Sequence, residues 1–235
     1  YNNNAYRISD ETLHFNGKST LISLQNGGGK SVLVQMLTAP FVHPKYRNTK
    51  DRLFESYFTT NKPSFILVEW ALDQGAGYVL TGLMVRKSQD MEEDRKENLD
   101  IIGIVSEYQS PCIQDIHHLP VVEKGKKEMI LKNFNSCRQL FETYKKDRDM
   151  KFFYYDLTNY AQSRQYFNKL MEYQINYKEW ETIIKKINLK ESGLSDLFAD
   201  CKDEKGLTEK WFLEAIESKL NKDKNRIKEF QSILE

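Results

Sequence analysis

Ser19-Thr20-Leu21-Ile22-Ser23-Leu24-Gln25-Asn26-Gly27-Gly28-Gly29-Lys30-Ser31-Val32-Leu33-Val34-Gln35-Met36-Leu37 is the stretch on which the reading of this chain turns. An apolar run, three consecutive glycines, a Lys-Ser pair and a second apolar run spell, in order, a buried strand over 19–24, a tight loop and a helix over 31–37. Glycines permit unusual backbone angles and close approach, so successive N–H groups can turn inward on a phosphate where no side chain would fit. Lys30 would reach the outer phosphates; opposite charges ~4 Å apart attract by about 4 kcal/mol at an intermediate effective dielectric. Ser31 would offer its hydroxyl to magnesium, and the positive end of the helix that starts there would favour the same anion. The candidate nucleotide-binding residues are therefore Asn26, Gly27, Gly28, Gly29, Lys30, Ser31 and Val32, with Lys30 the candidate catalytic group and ATP with Mg2+ the expected cofactors. In the full pattern G-x-x-x-x-G-K-[ST] the first glycine falls on Leu24, which leaves Gly27 to Gly29 to wrap the anion. A turn that merely joins a strand to a helix would have no use for the Lys-Ser pair.

Thr12-Leu13-His14-Phe15, a short turn, and then Leu21 to Ser31 resemble the start of an SMC-type ATPase head, whose loop reads G-x-N-G-x-G-K-[ST]; Asn26 is the distinguishing match. Within that superfamily the chain looks most like the Muk-type bacterial condensins and their relatives in plasmid defence. Two features suggest this: Arg47-Asn48-Thr49 soon after the loop helix, and the order of Lys151-Phe152-Phe153-Tyr154-Tyr155-Asp156, a helix from about Thr158, Trp180 to Leu189, Gly193 to Phe198 and a long terminal helix. The resemblance implies an α/β P-loop fold of ABC/SMC head type. It would be the N-terminal lobe of a head over residues 1–207, a mixed sheet built around the loop strand with an antiparallel hairpin region, and the start of a coiled-coil helix over 208–235. It further implies a homodimer of heads clamped through nucleotide, completed by a C-terminal lobe of the same polypeptide, with DNA and a kleisin-like subunit as partners. The work served would be chromosome organisation and segregation, repair, or defence against foreign DNA. Such a lobe alone is expected to bind ATP without turning it over, because nothing like the Leu-Ser-Gly-Gly-Gln signature is present and Gly193-Leu194-Ser195-Asp196 does not supply it. The glutamine that senses magnesium in many relatives would align with Ile183 to Asn188, where Asn188 is the one available substitute.

Composition sets outer bounds. In 235 residues, 40% hydrophobic content with 12% aromatics suffices for a core, so a folded domain is expected. The net charge of +1 excludes a strongly basic whole-chain field, and any nucleic-acid surface has to be local. Lys45, Arg47, Lys50 and Arg52, with Tyr46 among them, form the one basic connection that follows the loop helix. By the resemblance it faces DNA and contacts phosphate; the alternative is a solvated loop. No run approaches 18 apolar residues and no signal peptide precedes the fold, which gives a cytoplasmic expectation and no membrane partner. Cys112, Cys137 and Cys201 are few and far apart, as reduced thiols would be. The chain starts at Tyr1 and ends in a helical pattern, so it reads as a fragment.

Ala39-Pro40 should stop the loop helix. Ser64 to Leu72 and Tyr78 to Val85, separated by Asp73-Gln74-Gly75-Ala76-Gly77, read as an antiparallel hairpin, followed by a charged excursion over 88–100 and a strand over 101–105. Two places imitate an acidic strand end that could hold magnesium or polarise water: Phe65 to Glu69, and Phe152 to Asp156. They support the main alternative, a self-contained P-loop NTPase using Glu69 or Asp156. A non-hydrolysing interaction module with a structural loop is a third reading. His117-His118 lacks helical metal spacing and reads as a loop pair. Leu213, Ile216, Leu220, Asp223, Ile227, Phe230 and Leu234 recur at intervals of three and four, the rhythm of an emerging coiled coil of about 40 Å, or of an ordinary amphipathic helix.

Overall fold

The computed structural model describes residues 10–25, 28–48, 52–89, 97–125 and 129–187. The chain divides into two compact units, Tyr1–Ile184 and Lys185–Glu235, and the elements described here belong to the first, apart from the end of the last helix. The stretches over 188–235, with Asn188, Cys201, the Gly193 segment and the coiled-coil rhythm, lie outside the described residues, as do Asn26, Gly27 and Lys50.

The fold is mixed α/β. Helix α1 (Lys30–Thr38) is followed by a 3-10 turn at Ala39–Phe41, a short helix α2 (Pro44–Arg47) and a second 3-10 turn at Phe54–Tyr57. Strands β1 (Ser64–Ala71), β2 (Tyr78–Lys87) and β3 (Leu99–Tyr108) come next, then a ribbon of β4 (Val122–Lys124) and β5 (Met129–Leu131). Helix α3 (Phe134–Lys146), strand β6 (Lys151–Asp156), α4 (Tyr160–Glu172) and α5 (Tyr177–Ile187) complete it. The main sheet has the order β1-β2-β3-β6, with every neighbouring pair antiparallel.

The hairpin expected over 64–85 forms as read, closed by a turn in which Gln74, Gly75 and Gly77 take positive φ. The loop helix also forms and gives way at Ala39-Pro40, where the missing proline N–H ends the α-helical ladder and the chain tightens to 3-10. Two expectations are corrected. Residues 19–25 are not a buried strand: they carry no strand assignment, and Leu21 is 94% exposed. The sheet is correspondingly not built around that segment. A buried strand needs hydrogen-bonding neighbours on its flanks, and each described strand of the main sheet instead pairs with an antiparallel neighbour from the later part of the chain.

Alternation along the strands gives the sheet two apolar faces. On one, Ile66, Val68, Trp70, Val79, Leu83, Val85, Ile101 and Val105 pack against α1, α4 and α5 through Val32, Met36, Tyr166, Phe167, Leu170 and Trp180. On the other, Phe65, Leu80, Met84, Ile102, Ile104, Phe152 and Tyr154 pack against α3 through Phe134, Cys137, Phe141 and Tyr144. The spacing of these α3 residues, three-four-three, puts all of them on one stripe, and the Asn133 side chain caps the helix by accepting from the Ser136 N–H at 2.8 Å.

Candidate nucleotide-binding site

The glycine loop is built by local hydrogen bonds. The chain enters from a tight turn in which Lys18 N–H donates to the Phe15 carbonyl at 2.9 Å, with Asn16 and Gly17 both at positive φ. It then runs without regular secondary structure to Gln25, whose carbonyl accepts from Gly28 N–H at 2.9 Å. Gly29 takes the left-handed conformation (φ 85°, ψ 19°) as the N-terminal cap of α1, and its carbonyl accepts the first helical bond from Leu33 N–H at 2.8 Å. No side chain caps the start of α1, so its first N–H groups are left for other partners. The Lys30 ammonium lies across the loop and donates to the Leu24 carbonyl at 2.8 Å. Leu24, at the position of the pattern's first glycine, thus contributes through its backbone.

Gly28 and Gly29 are each constrained by the backbone. A Cβ on Gly28 would come to 2.8 Å from the Gln25 carbonyl oxygen, so a side chain there would displace the loop backbone. At Gly29 the surrounding space is open and the constraint is the left-handed backbone, which L side chains rarely adopt. Lys30 and Ser31 are exposed at this end of α1, no acidic side chain lies in its first turn, and Val32 is half-buried against the core. Gly28, Gly29, Lys30 and Ser31 thus meet at the exposed N-terminus of α1.

The basic connection divides. Lys45 is exposed over the Tyr46 ring at 4.7 Å, and Arg52 is exposed. Arg47 is turned inward: it is 2% exposed, its Nε donates to the Ala39 carbonyl at 3.1 Å, and its guanidinium carbon sits 5.8 Å from the Phe54 ring centre. A group so placed does not reach a DNA phosphate, which corrects the sequence assignment of Arg47. The reason is packing: α2 is one turn long, and its Arg47 falls on the side facing α1 and Phe54.

Both imitations of an acidic strand end fall on the sheet face opposite α1. Glu69 pairs in register with Leu80 and Asp156 with Ile102, each on the α3 face. Glu69 accepts a hydrogen bond from the Tyr108 hydroxyl, and burial with that bond raises the tyrosine's pKa. Asp156 accepts from Thr158 N–H at 3.0 Å and from its hydroxyl at 2.6 Å, closing the turn into α4. His118 Nδ1 pairs with Asp115 at 2.7 Å in a loop that also holds Cys112; among the described residues no group of three His, Cys, Asp or Glu side chains comes together as a metal site. Cys112 and Cys137 are free thiols, and burial pushes the Cys137 thiol up to about 12.

Sequence reading misses the polar groups behind the loop helix. Gln35, 3% exposed, donates from its amide to the Arg47 carbonyl at 2.5 Å and accepts from the Tyr57 hydroxyl at 2.9 Å. The available signal is a glutamine inside the apolar run Val32-Leu33-Val34-Gln35-Met36-Leu37. Neither a protein-family model nor a curated protein nor a solved structure matches the chain. Among the described residues no helix is long and apolar enough to cross a membrane.

Proposed function

We propose that this chain is the N-terminal lobe of an SMC-like, ABC-type ATPase head that binds ATP with Mg2+ through Gly27 to Ser31. The observation that carries the reading is the loop itself: left-handed Gly29 starts α1 with no side-chain cap, and the Lys30 ammonium is held back against the Leu24 carbonyl. Bound ATP would supply a triphosphate and its metal. Backbone N–H groups of the loop would hold the phosphates, Lys30 would balance their charge, and Ser31 would orient the magnesium ion. The exposed apolar segment over 19–25, with Leu21 and Ile22 uncovered, favours a composite head in which a further lobe of the same polypeptide supplies neighbours. A self-contained NTPase is disfavoured, because Glu69 and Asp156 lie on the opposite sheet face from α1. A second head, DNA and a kleisin-like subunit are the partners this reading entails, with DNA phosphates met by Lys45 and Arg52 and not by Arg47.

Calorimetric titration of ATP, with and without Mg2+, into the parent, Lys30→Ala and Ser31→Ala proteins tests the site. Lys30→Ala should lose most of the affinity, while Ser31→Ala should chiefly lose the magnesium dependence. Parent-like affinity in Lys30→Ala would leave the loop as a structural connection.

A further inference from the structure

The one side chain of α1 that is fully buried is polar: Gln35. Its amide nitrogen reaches the Arg47 carbonyl and its amide oxygen the Tyr57 hydroxyl, at 2.5 and 2.9 Å. Arg47 grips the same helix a second time, through Nε to the Ala39 carbonyl at the C-terminal cap. Tyr166 of α4 adds its hydroxyl to the Pro40 carbonyl at 3.1 Å. The rear half of α1 and its cap are thus tied to α2 and to the Phe54–Tyr57 turn, and the 3-10 turn that follows is tied to α4, by hydrogen bonds made inside the protein. The apolar contacts of α1, through half-buried Val32 and Met36, are non-directional and tolerate rotation of the helix about its axis. Hydrogen bonds do not, because they weaken steeply when misaligned, and in a buried network each fixes its neighbour. Ser31 and Gln35 are four residues apart, so they share a helix face, and the azimuth of one sets that of the other.

We propose that Gln35, Tyr57 and Arg47 are positioning residues of the nucleotide site, fixing the rotation of α1 so that the Ser31 hydroxyl and the Lys30 ammonium face a magnesium–nucleoside triphosphate. The proposal rests on the nucleotide-binding reading above and adds a device that acts through the far end of the helix. None of the three touches the ligand. Arg47 acquires a role that accounts for its burial.

The test uses the full chain and ATP, titrated calorimetrically with and without Mg2+. Tyr57→Phe deletes one hydroxyl and keeps the ring; Gln35→Met keeps the volume and removes both hydrogen bonds. Tyr154→Phe is the matched control, since its hydroxyl binds Glu142 on the opposite sheet face. Tyr57→Phe and Gln35→Met should weaken Mg–ATP by roughly tenfold, the lower end for groups that orient metal-binding side chains, and should shrink the gain in affinity that Mg2+ provides. Tyr154→Phe should change neither, even where its melting temperature falls as far. Tyr57→Phe with parent affinity and parent magnesium dependence, whatever its melting temperature, overturns the proposal, and this variant decides alone if Gln35→Met does not fold. Loss of binding in Lys30→Ala beside unchanged binding in Tyr57→Phe sinks the positioning role and spares the site. No binding by the parent sinks both.

Discussion

A guanidinium at 2% exposure needs partners, and Arg47 has one nitrogen satisfied: Nε reaches Ala39, while both terminal nitrogens are buried without a hydrogen-bond partner among the described residues. Glu97 is the nearby opposite charge, and its Oε1 is likewise buried and unpartnered. Burial holds the Glu97 carboxyl above the usual carboxylate range, against the pull of Arg47, and Glu55 adds to the rise. A carboxyl whose pKa is higher folded than unfolded binds more protons in the native state, so its contribution to stability is complete below the unfolded value and is lost as pH rises through the folded one. Urea unfolding from pH 4 to 8 should therefore show the parent losing stability relative to Glu97→Gln as pH climbs above the ordinary glutamate range; parallel profiles would exclude the effect. Gly103 tests packing at the same scale. A Cβ there would lie 2.7 Å from the Tyr166 ring, which is fully buried and also binds the Pro40 carbonyl. Gly103→Ala should cost about 1–3 kcal/mol by overpacking, read from denaturant midpoints. A change below about 0.5 kcal/mol would mean that the ring yields freely.

Helices α1 and α3 serve the same sheet by opposite means. α3 buries a stripe of Phe134, Cys137, Phe141 and Tyr144, so its hold is apolar and its start is fixed by a single cap. The apolar positions of α1 are half-buried or, at Val34, exposed, so the helix depends on Gln35, while its N-terminus is left exposed. That division would suit the proposed role of α1, whose first turn meets a ligand. The capping argument is checked on α3 and α4, where the Asn133 and Asn159 side chains accept from Ser136 and Gln162 N–H groups at 2.8 and 3.1 Å. Either Asn→Ala change should destabilise by about 1 kcal/mol, against a few tenths for Asn→Gly, in thermal or urea unfolding. Equal costs for Ala and Gly would point to side-chain contacts beyond the cap.

Across the molecule, the sheet separates two chemistries. The loop helix packs on one face, and the two carboxylates that imitate a catalytic strand end register on the other. The chain alone should therefore release phosphate from ATP negligibly in a steady-state assay, and turnover abolished by Glu69→Gln or Asp156→Asn would overturn the composite reading. Exposed Lys45 and Arg52 carry the DNA prediction. In an assembled head, each phosphate contact contributes about 0.9 to the slope of log affinity against log salt, so Lys45→Ala with Arg52→Ala should flatten it by nearly two units. Lys45→Ala with Arg47→Gln should flatten it by only one, because Arg47 points inward. Base preference should be absent, since charge contacts read the backbone.

The local elements were legible in the sequence wherever one short-range rule decided them. The glycines before Lys30-Ser31 marked a loop and a helix start, Ala39-Pro40 its end, Asp73 to Gly77 a hairpin turn, and Phe152 to Asp156 a strand. α3 is not among the expected elements, although its three-four-three spacing behind Asn133 carries the same kind of signal. Tertiary structure decided what depends on neighbours. The apolar run over 19–24 looks like a buried strand because its composition is that of one, yet burial and pairing are properties of the surrounding chain, and here Leu21 stands 94% exposed. Arg47 reads as one of four surface cations, since a side chain's charge is local information and the direction it faces is not. Whether Glu69 and Asp156 could serve Lys30 depended on strand register, which places them on the far face, and register is fixed only when the strands pair.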